Sequence, residues 1–189
     1  MLIEIRVLDK LTLADKMSLG RYGYISYEKY AAEKTESEMQ TVISLKHVAL
    51  EKPYEKYWDL DLTELEDEIK QHQTRLSYGL SYGAFEEGKL VGIAITEPRN
   101  WNKTLWIWDV QVSDKHRRRG IGNALLNSIC AAAKEHGYRA VGLEVQNTNM
   151  PAIKLYRKFG FTIDAVDLSF YTNTDISDGE IAIFMRYKF

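Results

Sequence analysis

The stretch from Val110 to Leu126, VQVSDKHRRRGIGNALL, constrains the fold of this chain more tightly than any other. It begins as a strand, passes through the cations Lys115, Arg117, Arg118 and Arg119, and opens into a helical pattern with Gly120 and Gly122 at its mouth. A strand, a tight glycine turn and a helix start aim several backbone N–H groups at one point, and an anion is their natural occupant. A side chain at either glycine would hold a phosphate away from those amides. The helix dipole adds about 0.3–1 kcal/mol per favourable charge. Three consecutive arginine side chains cannot all face one ligand, and a solvated basic loop with a glycine for close helix packing explains the same residues. Spacing alone leaves both readings open.

The surrounding pattern predicts where this junction sits. The segment SYGAFEEGKLVGIAITEPRNWNKTLWIWDVQV reads as three antiparallel strands, broken at Glu87–Gly88 and at Pro98–Asn102, where turn residues accumulate. After Gly120, Ile121, Leu125, Ile129 and Ala132 share one helical face, which ends at Gly137. RAVGLEV is a short apolar strand; NMPAIKLYRKFG is a helix with Asn149 at its cap, Pro151 in its first turn and Gly160 at its end. Two further strands are expected within 161–170 and 180–189, around the polar loop NTDISDG.

Toward the N-terminus, Ile3, Ile5 and Val7 alternate with Glu4 and Arg6 as in a half-buried strand. Helical, tyrosine-rich sequence is expected to about Ser37, then an irregular excursion over 41–58, where Pro53 interrupts β-branched residues. Thr63 and Glu66 have the spacing of a capping box for a helix reaching about Thr74. The expected class is α/β: a mixed, mostly antiparallel central sheet flanked by helices in a single domain.

Composition removes several functions. Lys and Arg number 25 against 27 Asp and Glu, a net charge of −2, so the global basic excess of a nucleic-acid binder is missing. No apolar run approaches the roughly 18 residues of a membrane span, and the N-terminus lacks the pattern of a signal peptide, so a cytoplasmic protein is expected. The lone Cys130 lies among alanines of a helical pattern and reads as a buried, inert thiol. Only G-x-G is present after a meander strand, which excludes a dinucleotide fingerprint, and no P-loop pattern occurs. The four histidines and the carboxylates show no metal-ligand spacing, so no metal is expected. One acidic run, Asp59–Glu68, stands opposite in sign to Lys115–Arg119.

VQVSDKHRRRGIGNALL resembles the acetyl-CoA signature of the GNAT superfamily of N-acetyltransferases, [Q/R]-x-x-G-x-[G/A], matched by Arg117, Gly120 and Gly122. About thirty residues on, NTNMPAIKLYRKFGF resembles the second hallmark of that superfamily. The likeness covers roughly residues 80–189. NWNKTLWIWDVQV, GLEVQNTN, DLSFYTN and IAIFMRYKF narrow it, being similar to streptothricin acetyltransferases, which acetylate an amine of that antibiotic's β-lysine arm and confer resistance.

The resemblance implies a division of labour. Residues 80–189 would form the acetyl-CoA core and 1–79 an N-terminal strand, helices and a substrate-side elaboration. Val110, Gln111 and Val112 would lie along the pantetheine arm by backbone pairing. Amides of Arg117, Arg118, Arg119, Gly120, Ile121, Gly122 and Asn123 would hold the pyrophosphate, with Asn149 hydrogen-bonding the cofactor. Tyr156 would protonate the departing thiolate. Asp109 and Glu144 are the candidates for the base that an alkylammonium needs. Asp59, Asp61 and Glu64 would draw in a small cationic amine, with Trp58 and Tyr171 also on the substrate side. Each acid has an ordinary alternative, as a cap or ion pair. Protein or polyamine acetylation and a non-catalytic acyl-CoA sensor stay open as functions, and a homodimer as assembly; neither nucleic acid nor a membrane is an expected partner.

Overall fold

The computed structural model describes residues 2–189. In chain order its elements are β1 (Ile3–Val7), α1 (Leu13–Ser18), β2 (Gly23–Glu36), β3 (Thr41–Tyr57), α2 (Leu62–Leu76), β4 (Tyr82–Glu86), β5 (Lys89–Arg99), β6 (Thr104–Val112), α3 (Ile121–Glu135), β7 (Ala140–Gln146), α4 (Met150–Phe159), β8 (Thr162–Asp167), α5 (Asp175–Asp178) and β9 (Ala182–Lys188). Seven strands form a mixed, mostly antiparallel sheet, while β2 and β3 make a separate two-stranded ribbon. The expected class is therefore found. Contacts group the chain into two compact units. The first takes the N-terminus to Tyr22, Tyr57–Leu143 and Tyr187–Phe189; the second takes Gly23–Lys56 and Glu144–Arg186.

In the first unit the strands follow the order β1-β4-β5-β6-β7. Only the β6–β7 pair is parallel there, and its register runs from Thr104↔Ala140 to Ile107↔Leu143. Between Ile95↔Asp109 and Thr96↔Ile107 the β5–β6 register skips Trp108. This bulge bends the strand just before Val110. Leu8, Leu11, Leu19, Leu76, Leu90, Ile93 and Ile95 form a core cluster. Full burial of each such side chain is worth roughly 1.5–3 kcal/mol. The face expected of α3 is buried as predicted, with Cys130 inside it; burial pushes that thiol up to about 12. A Cβ at Gly92 would stand 3.2 Å from Ile121 Cγ2 and 3.3 Å from the Gln111 carbonyl oxygen, so glycine lets the start of α3 sit close to β5 and β6.

In the second unit β7 continues toward β9 and β8. Asn147 ties this region together: its Nδ2 donates to the carbonyls of Tyr30 at 2.6 Å and Gly179 at 3.2 Å, and its Oδ1 accepts from Ile181 N–H at 2.8 Å. Helix α4 begins as expected, with the Asn149 side chain accepting from Ala152 N–H at 3.2 Å, and ends at Gly160 with φ +117°.

Several local expectations are corrected. Residues 23–36 are a strand rather than a helix: Tyr24, Ser26 and Tyr30 are buried while Ile25 and Tyr27 are exposed, a period of two that pairing with β3 turns to use. The following segment is one long regular strand. It keeps Pro53 because a two-stranded ribbon leaves one edge of each strand unpaired, and a residue without N–H is tolerated there. Pro98 lies within β5, beyond Ala94, the last residue paired to β4. The α2 capping box uses Asp61 and Glu64, two residues before the predicted pair, because the Asp61 carboxylate already accepts from the amides of Thr63 and Glu64. The final polar loop contains the single turn α5.

Candidate active site

In the first unit, β6 runs into a short 3-10 turn at Asp114–His116 and then the arginine loop. Arg118 has φ +61° and Gly120 +81°, so the backbone turns left-handed twice before α3. Such turns make concave clusters of N–H groups. Gly120 offers no side-chain cap, and the first turn of α3 contains no acid. A Cβ at Gly120 would meet nothing within 4 Å, so it is the left-handed φ and not crowding that calls for glycine there. The donor set fits a pyrophosphate. The arginines are divided: Arg117 Nε donates to the Val112 carbonyl at 3.2 Å and its Nη2 pairs with Asp114 at 3.0 Å, whereas Arg119 joins His116 on Glu86.

Asp109 belongs to a buried cluster in the same unit. Its Oδ2 lies 3.0 Å from Lys16 Nζ and 3.5 Å from His72 Nε2, while Glu68 Oε1 lies 3.2 Å from Lys16 Nζ and 3.3 Å from His72 Nε2. The His72 contacts are close, though His72 Nε2 makes no well-aligned hydrogen bond. Burial alone would raise the Asp109 pKa; the Lys16 ammonium and His72 outweigh it and hold the carboxyl well below the usual range. Burial would likewise lower Lys16 and His72, but the two carboxylates carry both upward. A carboxylate so stabilised in its charged form is a poor proton acceptor, and an ion pair with Lys16 is what its direct contact makes.

Glu68, His72 and Asp109 also bring three donor atoms within 4.8 Å of one another, and Glu68 and His72 stand at i,i+4 on α2. That spacing corrects the expectation that the sequence holds none. The cation position beside both carboxylates is taken by Lys16. The Arg75 guanidinium, which can only donate, lies 3.4 Å from His72 Nδ1. Nε2 then carries a proton whether the ring is neutral or charged, the opposite of what a ligand nitrogen needs.

The cluster predicts a pH dependence. His72 has a folded pKa above its unfolded value of 6.5, so its contribution to stability is complete below 6.5 and is lost as pH rises through the folded value. Asp109 and Glu68 are lowered, so theirs is present above the unfolded values and lost as pH falls through the folded ones. Unfolding free energies of the native chain and His72→Gln, measured on both sides of pH 6.5, should converge toward high pH. A difference that grows with pH would contradict this assignment.

In the second unit, Glu144 on β7 accepts the hydroxyl proton of Tyr171. Burial pushes the Glu144 pKa up and the charge of Glu180 adds to this, against the pull of Tyr171 and Lys56. Tyr171 is itself held by Asp175: the Tyr171 and Thr172 amides donate to its two oxygens at 2.9 and 2.7 Å. Glu180 accepts the Tyr54 hydroxyl at 3.3 Å and pairs with Lys56. Tyr24 and Thr148 hydroxyls share a hydrogen bond of 2.6 Å, and the rings of Tyr24 and Tyr54 stack at 6.3 Å. Tyr156 is buried on α4, with its ring 5.6 Å from Phe161.

The structure thus brings Glu144 and Tyr171 together and gives the proposed acidic mouth other partners. Asp59 forms a two-pronged pair with Arg21, which lies 3.9 Å over the Tyr57 ring; Asp61 and Glu64 cap α2; Trp58 packs 4.9 Å from Tyr22. Lys16, Glu68 and His72 around Asp109, and Lys56 and Glu180 near Glu144, were missed by sequence reasoning. Only the i,i+4 pair on α2 carried a signal.

A mixed sheet whose meander runs into a left-handed glycine turn at a helix start defines an α/β protein with a backbone cradle for an anion. The chain matches the acetyltransferase (GNAT) family over residues 41–161 and belongs to it. It is 39% identical over 99 residues to a streptothricin acetyltransferase of Streptomyces lavendulae, covering 52% of each chain, so this match spans about half of that relative. Streptothricin acetyltransferase A of Bacillus subtilis (strain 168) is 35% identical over 141 residues, 73% of this chain and 75% of that one. Among solved structures, a nourseothricin acetyltransferase superposes with a TM-score of 0.67 at 25% identity over 98% of both chains. A Bacillus anthracis str. Ames structure, described as a candidate streptothricin acetyltransferase in complex with acetyl coenzyme A, gives 0.71 at 23% identity over both full chains, a likeness of fold. No helix among the described residues is long and apolar enough to cross a membrane.

Proposed function

We propose that this protein transfers the acetyl group of acetyl-CoA to a primary amine of a small cationic acceptor of the streptothricin type, and so confers resistance to it. The names of the relatives support the acceptor, and the uncapped amides around Gly120 support the donor. The observation that carries the reading is the Glu144–Tyr171 pair: a carboxylate whose pKa is raised by burial and which is oriented by a tyrosine hydroxyl. An alkylammonium with a pKa near 10.4 must shed a proton before it attacks, at a cost of about 4–5 kcal/mol at neutral pH. Glu144 takes that proton, directly or through water. The freed amine bonds to the thioester carbonyl carbon, the carbon–sulfur bond breaks, and Tyr156 gives its proton to the thiolate and regains one from the nitrogen, which sheds its second proton as it becomes an amide. Val110–Val112 and residues 117–123 hold the donor's pantetheine arm and pyrophosphate, with Asn149 as a further hydrogen-bonding partner.

Thiol release by the purified chain with acetyl-CoA tests this against streptothricin, spermidine, lysine and a peptide amine. Acceptor-dependent release that is fastest with streptothricin is expected. Release with none of them removes the transfer reaction, and preference for spermidine or the peptide removes the antibiotic. Tyr156→Phe should lower turnover by about 10²-fold, the scale of a lost general acid, with a much smaller change in acetyl-CoA affinity. An unchanged turnover number would remove Tyr156 as the acid.

A further inference from the structure

We infer that Glu180 is a recognition site for a second ammonium group of the acceptor, and that Lys56 fills it from within the chain when no such group is bound. The inference rests on Glu144 being the proton acceptor, and it names what lies beside it. Glu180 stands between α5 and β9; one of its oxygens takes the Tyr54 hydroxyl at 3.3 Å and the other the Lys56 ammonium. The same Lys56 Nζ stands 5.7 Å from the centroid of the Tyr171 ring, within the range in which a ring face attracts a cation. Tyr171 in turn donates to Glu144. One tyrosine therefore serves both the proton acceptor, through its hydroxyl, and a seated primary alkylammonium, through its ring.

Lys56 shows what this place takes, because a primary ammonium on a flexible methylene stem is the chemistry of an amine acceptor. Its pair with Glu180 is partly open to solvent, with the side chains 27% and 20% exposed. That opening lets a ligand cation replace Lys56 at Glu180, one ammonium for another, without leaving the buried side of the carboxylate unpaired. Charge favours exchange over simple addition: Glu144 and Glu180 are two acids served by one lysine, and an acceptor with two ammonium groups matches both. A monoamine supplies the group at Glu144 and leaves Lys56 in place. The substrate class is thus a flexible diammonium chain, as in lysine-like arms and polyamines.

The test uses the full chain with acetyl-CoA and a matched pair of acceptors, 1,5-diaminopentane and 1-aminopentane. The native chain should favour the diamine in kcat/KM by about tenfold beyond the statistical factor for two amines, the worth of one modest charged contact. Glu180→Gln should erase that preference, and Lys56→Met, which keeps the stem and removes the competing charge, should enlarge it. A preference unchanged in Glu180→Gln, or reduced in Lys56→Met, overturns the inference while transfer itself stands. Calorimetric titration of the diamine without acetyl-CoA separates the remaining cases. Weaker binding to Glu180→Gln, in a chain that releases no thiol, keeps the cation site and removes the transfer reading; equal binding in such a chain removes both.

Discussion

Glu144→Gln is expected to lower acetyl transfer by about 10²–10⁴-fold, the usual contribution of a positioned acid or base. Glutamine keeps the shape of the side chain and an oxygen for the Tyr171 hydroxyl, but it cannot take the proton of an ammonium. Acetyl-CoA affinity should change little, so the loss falls on turnover and on the acceptor. The raised Glu144 pKa gives the sign of the pH dependence: below its folded value the side chain is protonated and inactive, so kcat/KM should climb as pH rises through a value above 4.5. Rates across that range, with acetyl-CoA binding measured separately, provide the check. Turnover within a few fold of the native chain would leave the ammonium proton without Glu144 as its acceptor. In Tyr171→Phe the hydroxyl is lost and burial acts on Glu144 with less opposition, so the same limb of the profile should move to higher pH.

Asp109→Asn should act on a different property, destabilising the fold by about 3–5 kcal/mol, the range for breaking a buried ion pair by removing one charge. Lys16 and His72 would face Glu68 alone in a site where Asp109 is 5% and Lys16 4% exposed. Urea or guanidinium unfolding curves of the two chains measure the loss. The activity of the fraction that stays folded distinguishes this role from that of a base: turnover per folded molecule should stay near the native value. A stable variant with turnover lost would reverse the assignment and return Asp109 to the chemistry.

The contrast between these carboxylates shows how far the sequence could be read. WDV and LEV present them alike, as acids within apolar strands. Their difference lies in neighbours 93 residues away for Asp109, in Lys16, and 27 residues away for Glu144, in Tyr171. The acidic run likewise has partners that its spacing does not display. Asp61 and Glu64 sit at the start of α2, where backbone amides are the nearest cations in effect, and Asp59 finds Arg21 across 38 residues of chain. Tyrosine-rich 23–36 looked helical because its alternation is obscured by Ala31 and Ala32; the strand forms because β3 supplies a partner for its backbone.

Local chemistry was enough for the elements that make their own decisions. Gly120 has to turn left-handed, Asn149 caps the helix that follows it, Gly160 ends that helix, and the α3 stripe must be buried; each requirement is met within a few residues, so the pattern of residues 80–160 was legible as written. What the tertiary structure alone decided is the electrostatic character of the acids. A carboxylate's proton affinity depends on how much water it loses and which charges approach it within a few ångströms, and those neighbours come from distant parts of the chain. Folding made Asp109 an anchor beside the Lys16 ammonium and His72 and left Glu144 a desolvated acid on a tyrosine, a distinction that no spacing along the chain encodes.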